Sequence, residues 1–436
     1  MPHYLTHFCR ARSLFIVPFC ILVLICSHVV VAQGWHQLAT TNNPPPRKNA
    51  SAVYDPIAHR IVLFGGSGTS GNLNDLWEFN LATLAWQQIV PVNAELPPVR
   101  FTHNAVFDSA KNRMIVWSGQ GSGLYNDVWA FNFSTNNWQQ LWANGNAAGA
   151  PLIRYGTAAA FDPLHRRLIN FAGFTSSGRF KDTWHLNVDA PEWTDKSDSN
   201  NPLERCLHTA CFVPDRRKMI VYGGQRSGTL DDIWALNTDT FVWANLTPPV
   251  RPAGRWFSSI VYDGKGNILM FGGQTANGAS NEFWRFSLDM NMWELIPSAK
   301  SPEARYGHSA VYVPSRNSML VIGGLGLELY SETWEVSSST TTSVLQTTPA
   351  KFQLSQNYPN PFNPTTIFEF QIANSGLVVL KVYDLLGNEV ATIVNERLIP
   401  GTYRRTWDAR AFPNGVYYYR LQSAGTVKTK KLILLK

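Results

Sequence analysis

The side chains best suited to chemistry in this sequence recur at fixed spacing. His103, His208 and His308 each stand three places after an arginine. Three imidazoles can bind zinc when every nitrogen comes within ~2.0–2.1 Å of the ion. Arg47, Arg100, Arg154, Arg205, Arg255 and Arg305 are followed 27 or 28 places on by an acid: Asp75, Asp127, Asp182, Asp232, Glu282 and Glu332. A guanidinium pairs bidentately with a carboxylate, or in a ring of like groups binds an anionic ligand. The position after each arginine reads Lys48, Phe101, Tyr155, Cys206, Trp256 and Tyr306. A second slot reads Ser67, Gln120, Phe174, Gln225, Gln274 and Leu325, with Arg226 beside one of them. Aromatic faces mixed with amide groups suit sugar or peptide ligands.

The elements that position these groups repeat with the same period, about fifty residues. A small pair ending in glycine precedes the second slot each time: Gly66, Gly119, Gly173, Gly224, Gly273 and Gly324. A tryptophan follows ten or eleven residues later (Trp77, Trp129, Trp184, Trp234, Trp284, Trp334), and the first five repeats add another nine beyond it (Trp86, Trp138, Trp193, Trp243, Trp293). Between these landmarks lie four short β-rich runs per repeat, such as NASAVYD, RIVLFGG, LWEFN and WQQI, separated by turn residues.

Four strands at this period, with a glycine pair and two spaced aromatics, resemble Kelch repeats over residues 34–336. The resemblance implies a six-bladed β-propeller. The sixth repeat has Ser343 where its second tryptophan should stand, whereas WHQL at Trp35 matches WQQI at Trp86 and WQQL at Trp138. The segment 34–40 is therefore expected to supply the missing outer strand of the last blade and close the ring.

Within such a ring the repeated residues read as architecture before chemistry, with one structural Arg–acid pair per blade. Sheets pack ~10 Å apart, which puts alternate blades ~17 Å apart. The three histidines are thus expected as hydrogen-bonded strand residues with no metal between them. No P-loop, nucleophile elbow or metal-ligand spacing is present, so no catalytic residue and no cofactor is assigned. In ligand-binding Kelch propellers the slots after the arginine and after the glycine pair reach the binding face. By that resemblance the candidate ligand contacts are Phe101, Tyr155, Trp256, Tyr306, Gln120, Gln225, Arg226 and Gln274. The expected role is ligand binding or adhesion, to a glycan or a protein, by a monomer. The alternative is a secreted carbohydrate-active enzyme, an oxidase or a mutarotase, with its site at the channel mouth.

Arg10 and Arg12, the apolar run Leu14–Val31 and the small residues before Gln33 read as a secretory signal over 1–32, so no membrane anchor should persist after cleavage. Its removal leaves Cys206 and Cys211. In RCLHTACFV, read as extended, their Cα atoms would lie ~16 Å apart, too far for a bridge spanning roughly 4.4–6.8 Å. Free thiols are expected. The net charge of +7 invites a nucleic-acid reading, but residues 33–350 carry 24 Lys and Arg against 25 Asp and Glu. The excess belongs to the tail, and nucleic acid is not expected as a partner.

After a Ser/Thr-rich linker over 337–350 come LSQNYPNPFNPTTIFEFQI, VVLKVYDLLGNEVATIV, GTYRRTWDAR, NGVYYYRL and TVKTKKLILLK. Period-two alternation and turns at 386–388 and 413–415 predict about seven antiparallel strands and a small Ig-like β-sandwich over 351–436. This order of segments resembles the C-terminal sorting domain of the type IX secretion system. The resemblance implies delivery to the cell surface or beyond, with the type IX machinery as a partner. Lys428, Lys430 and Lys431 are expected within the part it reads.

Overall fold

The computed structural model describes residues 34–338 and 352–435, except 146, 299, 375, 399, 400 and 424. The predicted leader and nearly all of the predicted linker lie outside the described residues. The chain is all-β: a six-bladed propeller followed by a small sandwich. Blade 1 orders its strands Ser51–Asp55, Arg60–Gly68, Gly71–Asn80 and Ala85–Ile89 from the axis outward. Blades 2 to 5 repeat this over 104–142, 158–195, 209–245 and 259–295. Blade 6 has Ser309–Val313, Ser318–Leu325 and Leu329–Ser337, and its fourth strand is Trp35–Gln37, with Trp35 opposite Val336 and Gln37 opposite Trp334.

The core is divided among the blade interfaces. Each of six apolar clusters joins two neighbouring blades, from Val62, Phe64 and Trp138 between blades 1 and 2 round to Leu63, Trp86 and Ile322 between 6 and 1. No blade has a core of its own, so the ring is stable only when closed. The packing alternates in pairs of blades. Phe64, Phe171 and Phe271 of the odd blades each lie between a tryptophan and a histidine of the following even blade. Their centroids are 5.0, 4.7 and 4.7 Å from Trp138, Trp243 and Trp35, and 5.3, 5.4 and 5.3 Å from His103, His208 and His308.

A belt of backbone hydrogen bonds closes around the axis. Thr102 N donates to Asn49 O, Gly156 to Thr102, Leu207 to Gly156, Phe257 to Leu207, Gly307 to Phe257, and Asn49 back to Gly307, at 2.6–3.3 Å. All six belt residues have φ between 52° and 63°. At Gly307 a Cβ would sit 2.2 Å from Asn49 Oδ1, so any larger residue there would have to displace the Asn49 side chain. Thr102, Leu207 and Phe257 hold a conformation that costs a bulky residue roughly 1–3 kcal/mol, and the belt compensates by satisfying a donor and an acceptor at each.

The sandwich packs the sheet of Gln353–Leu354, Thr365–Ile372 and Gly401–Asp408 on a second of Glu389–Leu398, Gly376–Tyr383, Gly415–Ser423 and Thr426–Leu434, seven antiparallel strands around one core. The strand carrying Lys428, Lys430 and Lys431 is the outermost of its sheet. Its far end is covered, since Phe362 N donates to Ile433 O and Leu435 N to Phe362 O, both at 3.0 Å. Lys428 and Lys431 are exposed and Lys430 is half-buried.

Candidate functional site

Four consecutive positions just before the innermost strand do four different jobs in the even blades, shown in blade 2 by Arg100, Phe101, Thr102 and His103. The arginine forms a clamp. Arg100 is fully buried and holds Asp127 through Nη1 at 2.7 Å and Nη2 at 2.8 Å, while Nη1 also donates to Ser118 O. Trp129 Nε1 donates to the same carboxylate at 2.8 Å, so the first tryptophan of the repeat completes the clamp. The arrangement recurs in all six blades, with Arg–acid distances of 2.5–2.8 Å. The anion-binding alternative is thereby replaced by six internal pairs, as the repeat spacing implied.

The fourth position carries the histidines, which the structure corrects in one respect. His308 Nε2 meets Ser259 Oγ at 2.7 Å, but both ring nitrogens of His103 and His208 are buried without a hydrogen-bond partner. Each ring lies against a phenylalanine of the preceding blade, whose backbone favours the protonated form but is outweighed by burial. Burial first, and the neighbouring Arg100 or Arg305 second, lower the pKa of His103 and of His308 to about 3. Among the described residues no group of three or more His, Cys, Asp or Glu could hold a metal.

Cys206 and Cys211 are free thiols, both pushed up in pKa by burial. The segment between them is not extended throughout: the strand starts at Thr209, and Leu207 is a left-handed belt residue at φ 58°. The belt overrides the local pattern there.

The second position in the run, with the slot after the glycine pair, builds the mouth. In every blade these residues face each other across backbone pairing: Lys48 with Ser67, Phe101 with Gln120, Tyr155 with Phe174, Cys206 with Gln225, Trp256 with Gln274, Tyr306 with Leu325. Each row has a third member on the next strand out: Asn72, Leu124, Arg179, Thr229, Ala279 and Leu329. That third slot escapes the sequence pattern because it holds a different kind of residue in nearly every blade.

A cavity of about 460 Å³ opens over the belt, lined by Phe101, Tyr155, Trp256, Tyr306, Gln120 and Gln274 with Lys48 and the belt residues Asn49, Thr102, Leu207 and Phe257. Lys48 is its one charged lining residue. Gln225 and Arg226 lie outside this lining: Gln225 accepts from Arg179 Nη2 at 3.2 Å, and Arg226 is exposed and pairs with Glu204 at 2.6 Å. Beneath the belt a smaller chamber of about 150 Å³ follows the axis. The four mouth aromatics are half-buried, and Tyr306 stacks on Phe257 at 6.1 Å. They form walls, and the amides present donors and acceptors between them.

Comparison with known proteins agrees with this architecture. The family model described as "KLHDC2/KLHL20/DRC7 Kelch-repeats domain" matches residues 24–140, 88–265 and 195–353, and the model "Secretion system C-terminal sorting domain" matches 356–435. Similar curated proteins include "Dynein alpha chain, flagellar outer arm" of Chlamydomonas reinhardtii, 30% identical over 42% of this chain and 4% of that protein. "Kelch domain-containing protein 1" of Homo sapiens is 30% identical over 25% of this chain and 27% of its own length, and "Kelch domain-containing protein 10" of Xenopus laevis 27% over 46% and 48%. The chain thus spans less than half the length of these relatives. Its tail marks it for secretion to the cell surface or outside, and no helix among the described residues is long and apolar enough to cross a membrane. The chain belongs to the Kelch-repeat propeller family and ends in a secretion-system sorting domain.

Proposed function

We propose that this protein is an exported adhesion or capture module that binds a segment of a protein partner in the mouth of its propeller, outside the cell or at its surface. The observation that carries the reading is the convergence of six of the eight candidate residues on one cavity, built from the slots that vary between blades while the clamp beneath them repeats. A protein segment suits this mouth better than a polysaccharide. Its aromatic rings are half-buried walls with partly occupied faces, which fit inserted side chains, whereas a sugar chain stacks on open faces. The test is to pan a phage-displayed random peptide library against the purified protein, with a glycan array in parallel and Trp256→Ala as control. Enriched peptides whose binding falls at least about tenfold in the variant, a loss typical of an aromatic anchor, are the expected result. Binding to glycans alone would overturn the choice of ligand class, and peptide binding unaffected by Trp256→Ala would move the site away from the mouth.

A further inference from the structure

Every arginine between Arg47 and Arg316 is in an ion pair with a carboxylate with the exception, among the described residues, of Arg179. It stands on the strand Gly178–Asn187 as the outermost member of the row Tyr155, Phe174, Arg179. Tyr155 meets Phe174 edge-on at 5.5 Å, and the Arg179 guanidinium lies over the Phe174 ring at 5.4 Å. Its Nη2 donates to Gln225 Oε1, in the neighbouring row, at 3.2 Å. Its Nε is fully buried and has no hydrogen-bond partner. The residue is half-buried, so its charge is partly withdrawn from water without the compensating anion that every other arginine of the propeller has. Its field still reaches the mouth, where it opposes the effect of burial on the Tyr155 phenol.

From this geometry we infer that Arg179 is a recognition residue for an acidic side chain, Asp or Glu, of the bound peptide. This rests on the reading of the mouth as a peptide site. A planar donor fork fixed by an aromatic ring on one side and an amide on the other is suited to a carboxylate, and its orientation is set before the ligand arrives. Gln225 is then a positioning residue: it holds the fork and need not touch the ligand. Tyr155, which lines the cavity, would carry the contact from the mouth outward to the charge. Arg179 also differs from the six clamp arginines in what its loss should do to the fold, because no ion pair breaks when it is replaced.

The experiment uses the full chain, its Arg179→Gln and Arg179→Lys variants, and two phage-displayed heptapeptide libraries, one with a fixed central Asp or Glu and one with central Asn or Gln. The acidic library should enrich binders over the neutral one. The best acidic peptide, made synthetically, should lose about tenfold or more in affinity to Arg179→Gln and lose nothing further when its own acid is changed to the amide. Arg179→Lys should retain part of the binding, and the melting temperature of Arg179→Gln should equal or exceed that of the unaltered protein. Equal enrichment from both libraries would refute the charge recognition while leaving the mouth a peptide site. A lowered melting temperature of Arg179→Gln with unchanged peptide affinity would make the residue structural. Binding of a uronate-rich polysaccharide that depends on Arg179, with no peptide bound, would overturn the peptide as the source of the carboxylate. No binding of either would remove this inference together with the mouth reading.

Discussion

The clamp layer and the mouth layer of the propeller are built from adjacent residues, yet they differ in how much the six blades resemble one another. Arg100 and Phe101 are neighbours in sequence. The first recurs six times with an acid as its partner, gripped at two points by Asp in blades 1 to 4 and at one by Glu in blades 5 and 6, and the second is replaced by lysine, tyrosine, cysteine, tryptophan and tyrosine around the ring. A residue that each blade needs in order to pack is repeated, whereas a ligand without six-fold symmetry can only be bound by positions that differ. On the proposed reading of the mouth, the boundary between structure and recognition runs between consecutive side chains.

The comparison is broken most severely by opening the ring. Removing residues 34–40 takes away Trp35, which is 2% exposed and packs on Phe271 and Phe283 of blade 5 at 4.7 and 5.4 Å. A buried tryptophan alone is worth roughly 3–5 kcal/mol, and the deletion also exposes a strand edge on blade 6. Loss of a cooperative melting transition for the propeller is expected. A melting curve close to that of the intact chain would mean that blade 6 stands without its fourth strand. Within the clamp layer the next effect is local. Asp127→Ala should cost ~3–5 kcal/mol, because it strands the fully buried Arg100 and removes the acceptor of Trp129 Nε1. Glu282→Ala should cost clearly less, since Glu282 is 42% exposed and holds Arg255 at one point, through Nη2, where Asp127 holds Arg100 at two. Denaturant titration of the pair measures the gradient, and equal losses would show that exposure does not set the strength of a clamp.

What could be read from the sequence follows the same division. The clamp pairs, the six glycine positions and the closure by Trp35 were legible because repetition multiplies a weak signal. The belt was not legible. Thr102, Leu207 and Phe257 give no local indication of a left-handed backbone, and each is held there by a hydrogen bond to the next blade that no single repeat contains. The same bond misleads the extended reading of RCLHTACFV. The mouth candidates were found from their slots, but Arg179 was passed over because an arginine in a serine-glycine hairpin looks like ordinary surface until its missing partner is noticed. The tryptophan N–H in each clamp was likewise invisible, because spacing locates a side chain without saying which way its polar atom points.

The three histidines sit just below the belt, between the two layers, and sharpen the comparison through pH. Each packs against a phenylalanine in alternate interfaces, with Arg100, Arg205 or Arg305 of its own blade as the nearby charge. Burial and that cation hold the folded-state pKa below the ordinary 6.5, to about 3 for His103 and His308. The unfolded chain therefore takes up protons first, and stability should fall as the pH drops below 6.5, by on the order of 1–2 kcal/mol each for His103 and His308 by pH 5. The clamp carboxylates act lower. Burial alone would raise Asp232 and Glu282, but Arg205 and Arg255 outweigh it and hold them below 3.8 and 4.5, so their contribution is lost only at more acid pH. Between pH 6.5 and 4.5 the slope belongs mainly to the imidazoles, His185 included, since burial and the nearby Arg167 and Lys196 lower it to about 4, and His103→Gln should remove roughly one quarter of it. A flat stability profile over that range would mean that the interfaces admit water to the rings, and that the inter-blade core is less tightly closed than the belt above it.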